Sequence, residues 1–257
     1  MRISGARVLL TGATGGLGGE LARQLARAGG TLVLTGRRLD VLEPLAAEVG
    51  AEVVTADLAD TADVERLAIA AGDVDILVSN AALPASGKAL DFRPDDITQA
   101  VAVNLHAPML LTALLGPAMV ARRRGHLLFV SSLAGLTSTS GSAVYSATKF
   151  GLRGFGQGLR QDLHGTGVGV SVVFPGFISE VGMFADTGGA LPKGMRASTP
   201  AKVASVVLRA ITKDKGEVLA TPPEMRLATA LAQASPETSA RISRLLNVGS
   251  VNDAVND

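Results

Sequence analysis

Short apolar runs recur along the chain, each bounded by glycine or a polar cluster: Arg7 to Thr11, Thr31 to Thr35, Glu52 to Ala56, Ile76 to Ser79, His126 to Ser131, Val168 to Phe174 and Glu217 to Thr221. Runs of this length between turn signals predict strands buried on both faces. Between them lie segments of helical period. Gly18 to Ala28 repeats Leu21, Leu25 and Ala28, Val41 to Glu48 carries Leu42 and Leu45, and Val64 to Ala71 follows. Seven strands alternating with helices predict βαβ units and hence an α/β fold, a doubly wound seven-stranded parallel sheet with helices on both faces. The chain of 257 residues, 47% hydrophobic, suits one domain over residues 1–257.

Two segments break the rhythm. Residues 180–198 hold Gly182, Gly188, Gly189, Pro192 and Gly194 with little periodicity, and predict a loop beside the substrate. Residues 222–257 begin at Pro222-Pro223; Met225, Leu227 and Leu231, then Ile242, Leu245 and Leu246, predict a C-terminal extension of two helices with a frayed end. The longest apolar tract, Ala107 to Ala121, contains Gly116 and Pro117 and falls short of the ~18 residues of a membrane span. It predicts a buried helix ended by Arg122-Arg123-Arg124, with Gly125 as a left-handed cap. The alternative for these arginines is a basic cluster at a membrane surface.

Charge narrows the partners. Lys plus Arg number 24 against 23 acids, with no basic stripe interleaved with aromatics, which argues against nucleic acid. The absence of cysteine excludes disulfides, thiol catalysis and thiolate metal sites. His106, His126 and His164 share no ligand spacing, so no metal is expected and all three read as structural. The N-terminal residues lack the pattern of a secretory signal, and a cytoplasmic protein without a membrane partner is the expectation.

The first strand runs into Thr11-Gly12-Ala13-Thr14-Gly15-Gly16-Leu17-Gly18 and then a helix. Glycines there permit a tight turn, approach of backbone to phosphate and close helix packing, while the helix N-terminus offers free N–H groups. Gly12, Thr14, Gly15, Gly16, Leu17 and Gly18 are therefore candidate cofactor contacts, although the spacing is not G-x-G-x-x-G and a purely structural turn is the competing reading. The second strand ends Thr35-Gly36-Arg37-Arg38, where a fold selective for NAD would place an acid on the ribose hydroxyls. Arg37 and Arg38 offer guanidinium forks for a 2′-phosphate, favouring NADP(H) over NAD(H), or else form a solvated basic loop. Asp57 with Leu58 is placed to accept from an adenine amino group and pack its ring, or is a surface-turn aspartate.

Tyr145 and Lys149 stand four residues apart, one helical turn, on one face. That geometry predicts a phenol whose pKa the cation draws down from its usual value of about 10. Tyr145 is the only tyrosine of the chain.

Together with Ser79-Asn80-Ala81-Ala82, Asn104, Ser131-Ser132 and Pro175-Gly176, all in one order over roughly residues 5 to 220, these motifs resemble the short-chain dehydrogenase/reductase family in its compact form. The resemblance implies a Rossmann-like fold and a homo-oligomer, dimer or tetramer, formed through the helices around Ala107 to Ala121 and Tyr145 to His164. It implies Tyr145 as general acid/base and Ser132, thirteen residues upstream, as hydrogen-bond partner of the substrate oxygen. Lys149 would hold the nicotinamide ribose and Asn104 would tether a water relaying protons from Lys149. Asn80, Ala81, Pro175, Gly176 and Ile178 would complete the cofactor contacts. Ser79, Ala82 and Ser179 depart from the family's usual asparagine, glycine and threonine, and the tail makes an acyl-carrier substrate less expected.

The implied activity is an NADP(H)-dependent oxidoreductase interconverting a carbonyl and an alcohol on a small, apolar substrate. Phe177, Ile178, Val181, Met183 and Phe184 would line its cleft, or pack under the loop. The alternative is an NADPH-binding redox-sensing regulatory protein without turnover, against which the intact Ser132, Tyr145 and Lys149 argue.

Overall fold

The computed structural model describes residues 1–179, 196–235, 237–238 and 240–241. Its seven strands are β1 (Arg7–Thr11), β2 (Thr31–Thr35), β3 (Glu52–Val53), β4 (Ile76–Ser79), β5 (Gly125–Val130), β6 (Val168–Pro175) and β7 (Glu217–Ala220). They form one sheet in the order β3-β2-β1-β4-β5-β6-β7, with every pairing parallel. The order reverses between β1 and β4, and the crevice beyond the carboxyl ends of those strands is where such sheets receive ligands.

Alternation along the strands divides the core in two. Val8 and Leu10 of β1, with Leu32, Leu34, Ile76 and Val78, pack under α1 (Gly16–Arg27) and α2 (Leu39–Val49). The helix Pro200–Lys213, here α7, completes that layer with Val203, Val207 and Ile211. Leu9, Val33, Leu77, Leu127 and Phe129 point the other way, toward α3 (Thr61–Ala71), α5 (Ala107–Ala121) and α6 (Ala143–Asp162). Burying both faces explains why the strands read as continuous apolar runs.

Three expectations need correction. β3 is two residues long rather than five, because Thr55 and Ala56 turn away into the loop that carries Asp57; only Val54 N–H to the Leu34 carbonyl (3.1 Å) and Ala56 N–H to that of Gly36 (3.3 Å) continue toward β2. The left-handed residue after α5 is Arg123, with φ 51°, and Gly125 instead opens β5. Gly125 is small because Met119 lies against it, a Cβ there falling 2.6 Å from that of Met119. The apolar helix is also longer than its tract: α4 (Pro94–Val101), a five-residue wide turn Ala102–His106 and α5 run on as one helix of 28 residues, long and apolar enough to cross a membrane. Half of its most apolar window is buried, through Ala107, Leu111, Leu115 and Met119. Of the two tail helices, the first is present as α8 (Pro223–Ala234). Ile242, Leu245 and Leu246, together with residues 180–195 of the predicted loop, lie outside the described residues.

Candidate active site

Two glycines of the first turn have distinct steric reasons. Gly12 has a left-handed φ of 68°, and a Cβ on it would meet the backbone of Ala81 at 2.7 Å, so β1 and the loop after β4 touch here. A Cβ on Gly18 would strike the carbonyl of Gly12 and the Cα of Ala13, which sets how closely α1 folds back on the turn. Gly15 is the residue before α1; it and Gly16 are exposed at the crevice, with the first N–H groups of the helix behind them. Such a cradle fits a pyrophosphate by size and by charge.

Thr11 ties the two sides of the crevice together. Its hydroxyl accepts from the N–H groups of Asn80 (3.0 Å) and Ala81 (3.1 Å), while the Asn80 amide donates to the carbonyls of Thr11 (3.1 Å) and Gly12 (3.2 Å). Asn80 is thus a brace of the turn as well as a candidate ribose contact. Leu17 packs partly buried against the core. Arg37 and Arg38 are both exposed after β2, and Arg38 donates to the carbonyl of Thr14 at 2.7 Å. Asp57 receives Ala59 N–H on Oδ1 at 3.0 Å, and its own N–H is held by Asp63 at 2.8 Å. Leu58 beside it is buried in the layer under α3.

At the other end of the crevice, Ser132 follows β5 and caps a single short helical turn, Leu133–Gly135, by accepting Ala134 N–H at 3.1 Å. Ser131 faces the opposite way, as alternation requires, and donates to the carbonyl of Lys149 at 3.1 Å. Tyr145 lies in the first turn of α6, partly exposed, with its phenol hydrogen-bonded to Ser132. Lys149 is buried one turn on; its Nζ donates to the Val130 carbonyl at 3.0 Å and lies 5.6 Å from the centre of the Tyr145 ring.

The electrostatics depart from the sequence expectation. Burial pushes the Tyr145 phenol up to about 12, with the Ser132 hydrogen bond pulling against it. Burial also pulls Lys149 down to about 8. Desolvation therefore outweighs the Ser132 hydrogen bond in setting the phenol's pKa.

Asn104 is fully buried in the wide turn between α4 and α5, and its amide bonds protein: Oδ1 accepts from Leu83 N–H at 2.7 Å, and Nδ2 donates to the Leu83 carbonyl at 3.0 Å and to Thr148 Oγ1 at 3.3 Å. Both amide hydrogens are thereby taken by the loop after β4 and by α6. Thr148, which sequence reasoning passed over, donates in turn to the Tyr145 carbonyl at 2.7 Å. Its signal was available as a hydroxyl inside the Tyr145 to Lys149 turn. Thr11 was likewise quoted only as the start of the glycine run.

Pro175 ends β6, and Gly176 follows where a side chain would collide with Thr221 and crowd Leu133 and Met225. Ile178 forms a parallel bridge to Ser198, with Ser179 N–H bonded to the Ser198 carbonyl at 3.0 Å. Phe177 and Ile178 flank this shelf, while Glu180, Val181, Met183 and Phe184 lie outside the described residues.

A family profile described as short chain dehydrogenase matches residues 6–189. The ketoacyl reductase HetN of Nostoc sp. is 36% identical over 260 residues, covering 96% of this chain and 91% of that protein. Among solved structures, a metagenomic short-chain oxidoreductase in complex with NADP is 32% identical with TM-score 0.73, covering 85% of this chain and 97% of its own. A short-chain dehydrogenase from Sphingobium yanoikuyae in complex with NADPH is 25% identical with TM-score 0.80, over 91% and 94%. With the profile spanning most of its length and a relative matched nearly end to end, the protein belongs to the short-chain dehydrogenase/reductase family of oxidoreductases.

Proposed function

We propose that the protein is an NADP(H)-dependent oxidoreductase that interconverts a carbonyl and an alcohol on a small, largely apolar substrate, with Tyr145 as general acid/base. The observation that carries this reading is the convergence of three side chains at the carboxyl edge of β5: the Tyr145 phenol bonds Ser132, and Lys149 Nζ lies 5.6 Å from the centre of the Tyr145 ring. A phenol so placed donates a proton to an oxygen gaining electrons and, as phenolate, takes one from an alcohol being oxidised. Ser132 accepts from Ala134 and bonds the Tyr145 phenol, so the two hydroxyls meet at one point where a substrate oxygen would sit.

The glycine turn would hold the pyrophosphate, Asn80 and Ala81 the adjoining ribose, Asp57 and Leu58 the adenine, and Lys149 the nicotinamide ribose. Pro175, Gly176 and Ile178 would form the shelf under the nicotinamide. When bound, the cofactor supplies the hydride. Arg37 and Arg38, with no acid at the end of β2, support NADP(H) over NAD(H), as do related structures that contain NADP or NADPH. The Nostoc relative is described as a ketoacyl reductase, which supports including ketoacyl compounds among the substrates tried.

Burial of one face of α5 supports a helix packed on the sheet rather than one that spans lipid. Exposed Met109 and Leu114 on α5 and Phe150 on α6 support a homo-oligomer through those helices. Sedimentation would separate dimer from tetramer.

Protein mixed with NADPH and a panel of ketones, aldehydes, quinones and 3-oxoacyl thioesters should consume nicotinamide absorbance. Tyr145→Phe should abolish turnover and retain cofactor binding. Binding without turnover on every substrate would favour the redox-sensing regulator instead.

A further inference from the structure

The phosphate turn and the turn after β2 are strapped together at two points. Arg38 reaches back to donate from Nη2 to the Thr14 carbonyl at 2.7 Å. At the second, Gly36 faces the Thr14 side chain, and a Cβ at 36 would lie 2.9 Å from Thr14 Cγ2 and 3.2 Å from Oγ1. Both branches of Thr14 crowd this position, so rotation about its first torsion exchanges one blocking atom for the other. Gly36 is not among the residues of positive φ; it is glycine for want of space.

Position 36 ends the second strand, about 20 residues beyond the glycine turn, where open α/β folds place the carboxylate that takes the ribose 2′-hydroxyl. We infer that Thr14 is a specificity-determining residue: by filling the space beside Gly36 it shuts out that acid and leaves the 2′-position to the guanidinium groups of Arg37 and Arg38. The inference rests on the proposed preference for NADP(H). Arg38 gains direction from the same contact, because one N–H fixed on the Thr14 carbonyl holds the rest of its fork in place. Arg37 is exposed and has no hydrogen-bond partner among the described residues.

A double-mutant cycle read by calorimetric titration of NADP⁺ and NAD⁺ into the full chain tests this. Gly36→Asp alone should weaken both dinucleotides tenfold or more, since it displaces Thr14 and the phosphate turn together. Thr14→Ala is the reference for the cycle, leaving only a Cβ at an ordinary contact of 3.6 Å from position 36. Thr14→Ala/Gly36→Asp should bind NAD⁺ at least tenfold more tightly than Gly36→Asp and should prefer NAD⁺ to NADP⁺. Gly36→Ala isolates the steric part without charge: it should weaken NADP⁺, and Thr14→Ala should recover that loss. Additive effects in both cycles, or Gly36→Asp alone binding NAD⁺ as tightly as the double variant, would overturn the inference. Wild-type protein that prefers NAD⁺ would instead sink the cofactor reading, with the Thr14 and Gly36 coupling still read from the non-additivity.

Discussion

Asn104 grips Leu83 by both of its backbone groups, taking the N–H on Oδ1 at 2.7 Å and giving to the carbonyl from Nδ2 at 3.0 Å. A side-chain amide here does what a neighbouring strand would do, and the loop that leaves β4 through Asn80 and Ala81 hangs from it. Helices rarely widen to a five-residue turn, and such turns collect at functional sites. This one carries Asn104 to the place where the loop needs a partner.

Asn104→Ala should therefore loosen the loop before it touches chemistry. Two backbone groups lose their partners, at a cost of about 2 kcal/mol of stability. The KM for the cofactor should rise more than kcat falls. Asn104→Asp keeps the acceptor but presses a carboxylate on the Leu83 carbonyl, and should recover little. Thermal melts with initial rates at varied NADPH distinguish this from a direct catalytic role, which would lower kcat at unchanged KM.

Lys149 should set the alkaline limb of the rate profile. Held down to about 8 by burial, it is a cation below that pH and a neutral amine above it. The kcat/KM for NADPH should be level below pH 8 and fall about tenfold per pH unit above, as one ionisation of free enzyme. Tyr145, pushed up to about 12, stays protonated throughout and contributes no limb in that range. A profile level to pH 10 would refute the assignment.

The same burial makes Lys149 costly to the fold. Its native pKa lies below the unfolded value of 10.5, so the unfolded chain binds the extra proton, and wild-type stability should climb as pH rises from 8 toward 10.5. Lys149→Met should remove that slope and raise stability at pH 7 by about 1–3 kcal/mol while ending turnover. Denaturant titrations at pH 7 and pH 10 check both signs.

His126 should govern the acid side of stability. It is buried at the start of β5, and its Nε2 donates to Ser171 Oγ at 2.9 Å, since that hydroxyl is spent on the Lys215 carbonyl at 2.6 Å. Burial lowers its pKa to about 4, with Asp214 opposing and the N-terminus and Arg160 assisting. The unfolded chain takes up the proton first, so stability should be full above pH 6.5, decline as pH falls to about 4, and level below. His126→Gln should flatten that decline. An equal slope in the variant would place the acid sensitivity elsewhere.

Among the described residues, two buried hydroxyls at the carboxyl ends of β2 and β4, Thr35 Oγ1 and Ser79 Oγ, have no hydrogen-bond partner. Thr35→Val keeps the shape and removes the unpaired group, and should raise stability by about 1 kcal/mol. Ser79→Ala should do the same to a smaller extent. Destabilisation of both variants in thermal melts would mean that each hydroxyl is paired.

The strands were legible in the chain because a sheet buried on both faces leaves an unbroken apolar signature; of the long helix, the apolar tract showed the end at Ala121 but not the start at Pro94. What was not legible depends on partners distant in sequence. β3 stops early because the chain beyond it bends into the Asp57 loop, where Arg66 takes the Thr55 carbonyl and Asp63 the Asp57 N–H, and Gly125 owes its smallness to Met119 rather than to a turn. At the site, the helical spacing of Tyr145 and Lys149 was readable. The sign of the phenol's shift was not, because it depends on how much of the fold closes over that ring. Asn104 was readable as a site residue, but its grip on Leu83 was not, since nothing local announces that Leu83 will stand opposite it.

The continuity of α4, the wide turn and α5 carries a mechanical corollary. Ile97, Val101, Met109 and Leu114 are exposed on the same 28-residue helix whose widened turn buries Asn104. Whatever covers those side chains therefore bears on the element from which the loop after β4 is suspended.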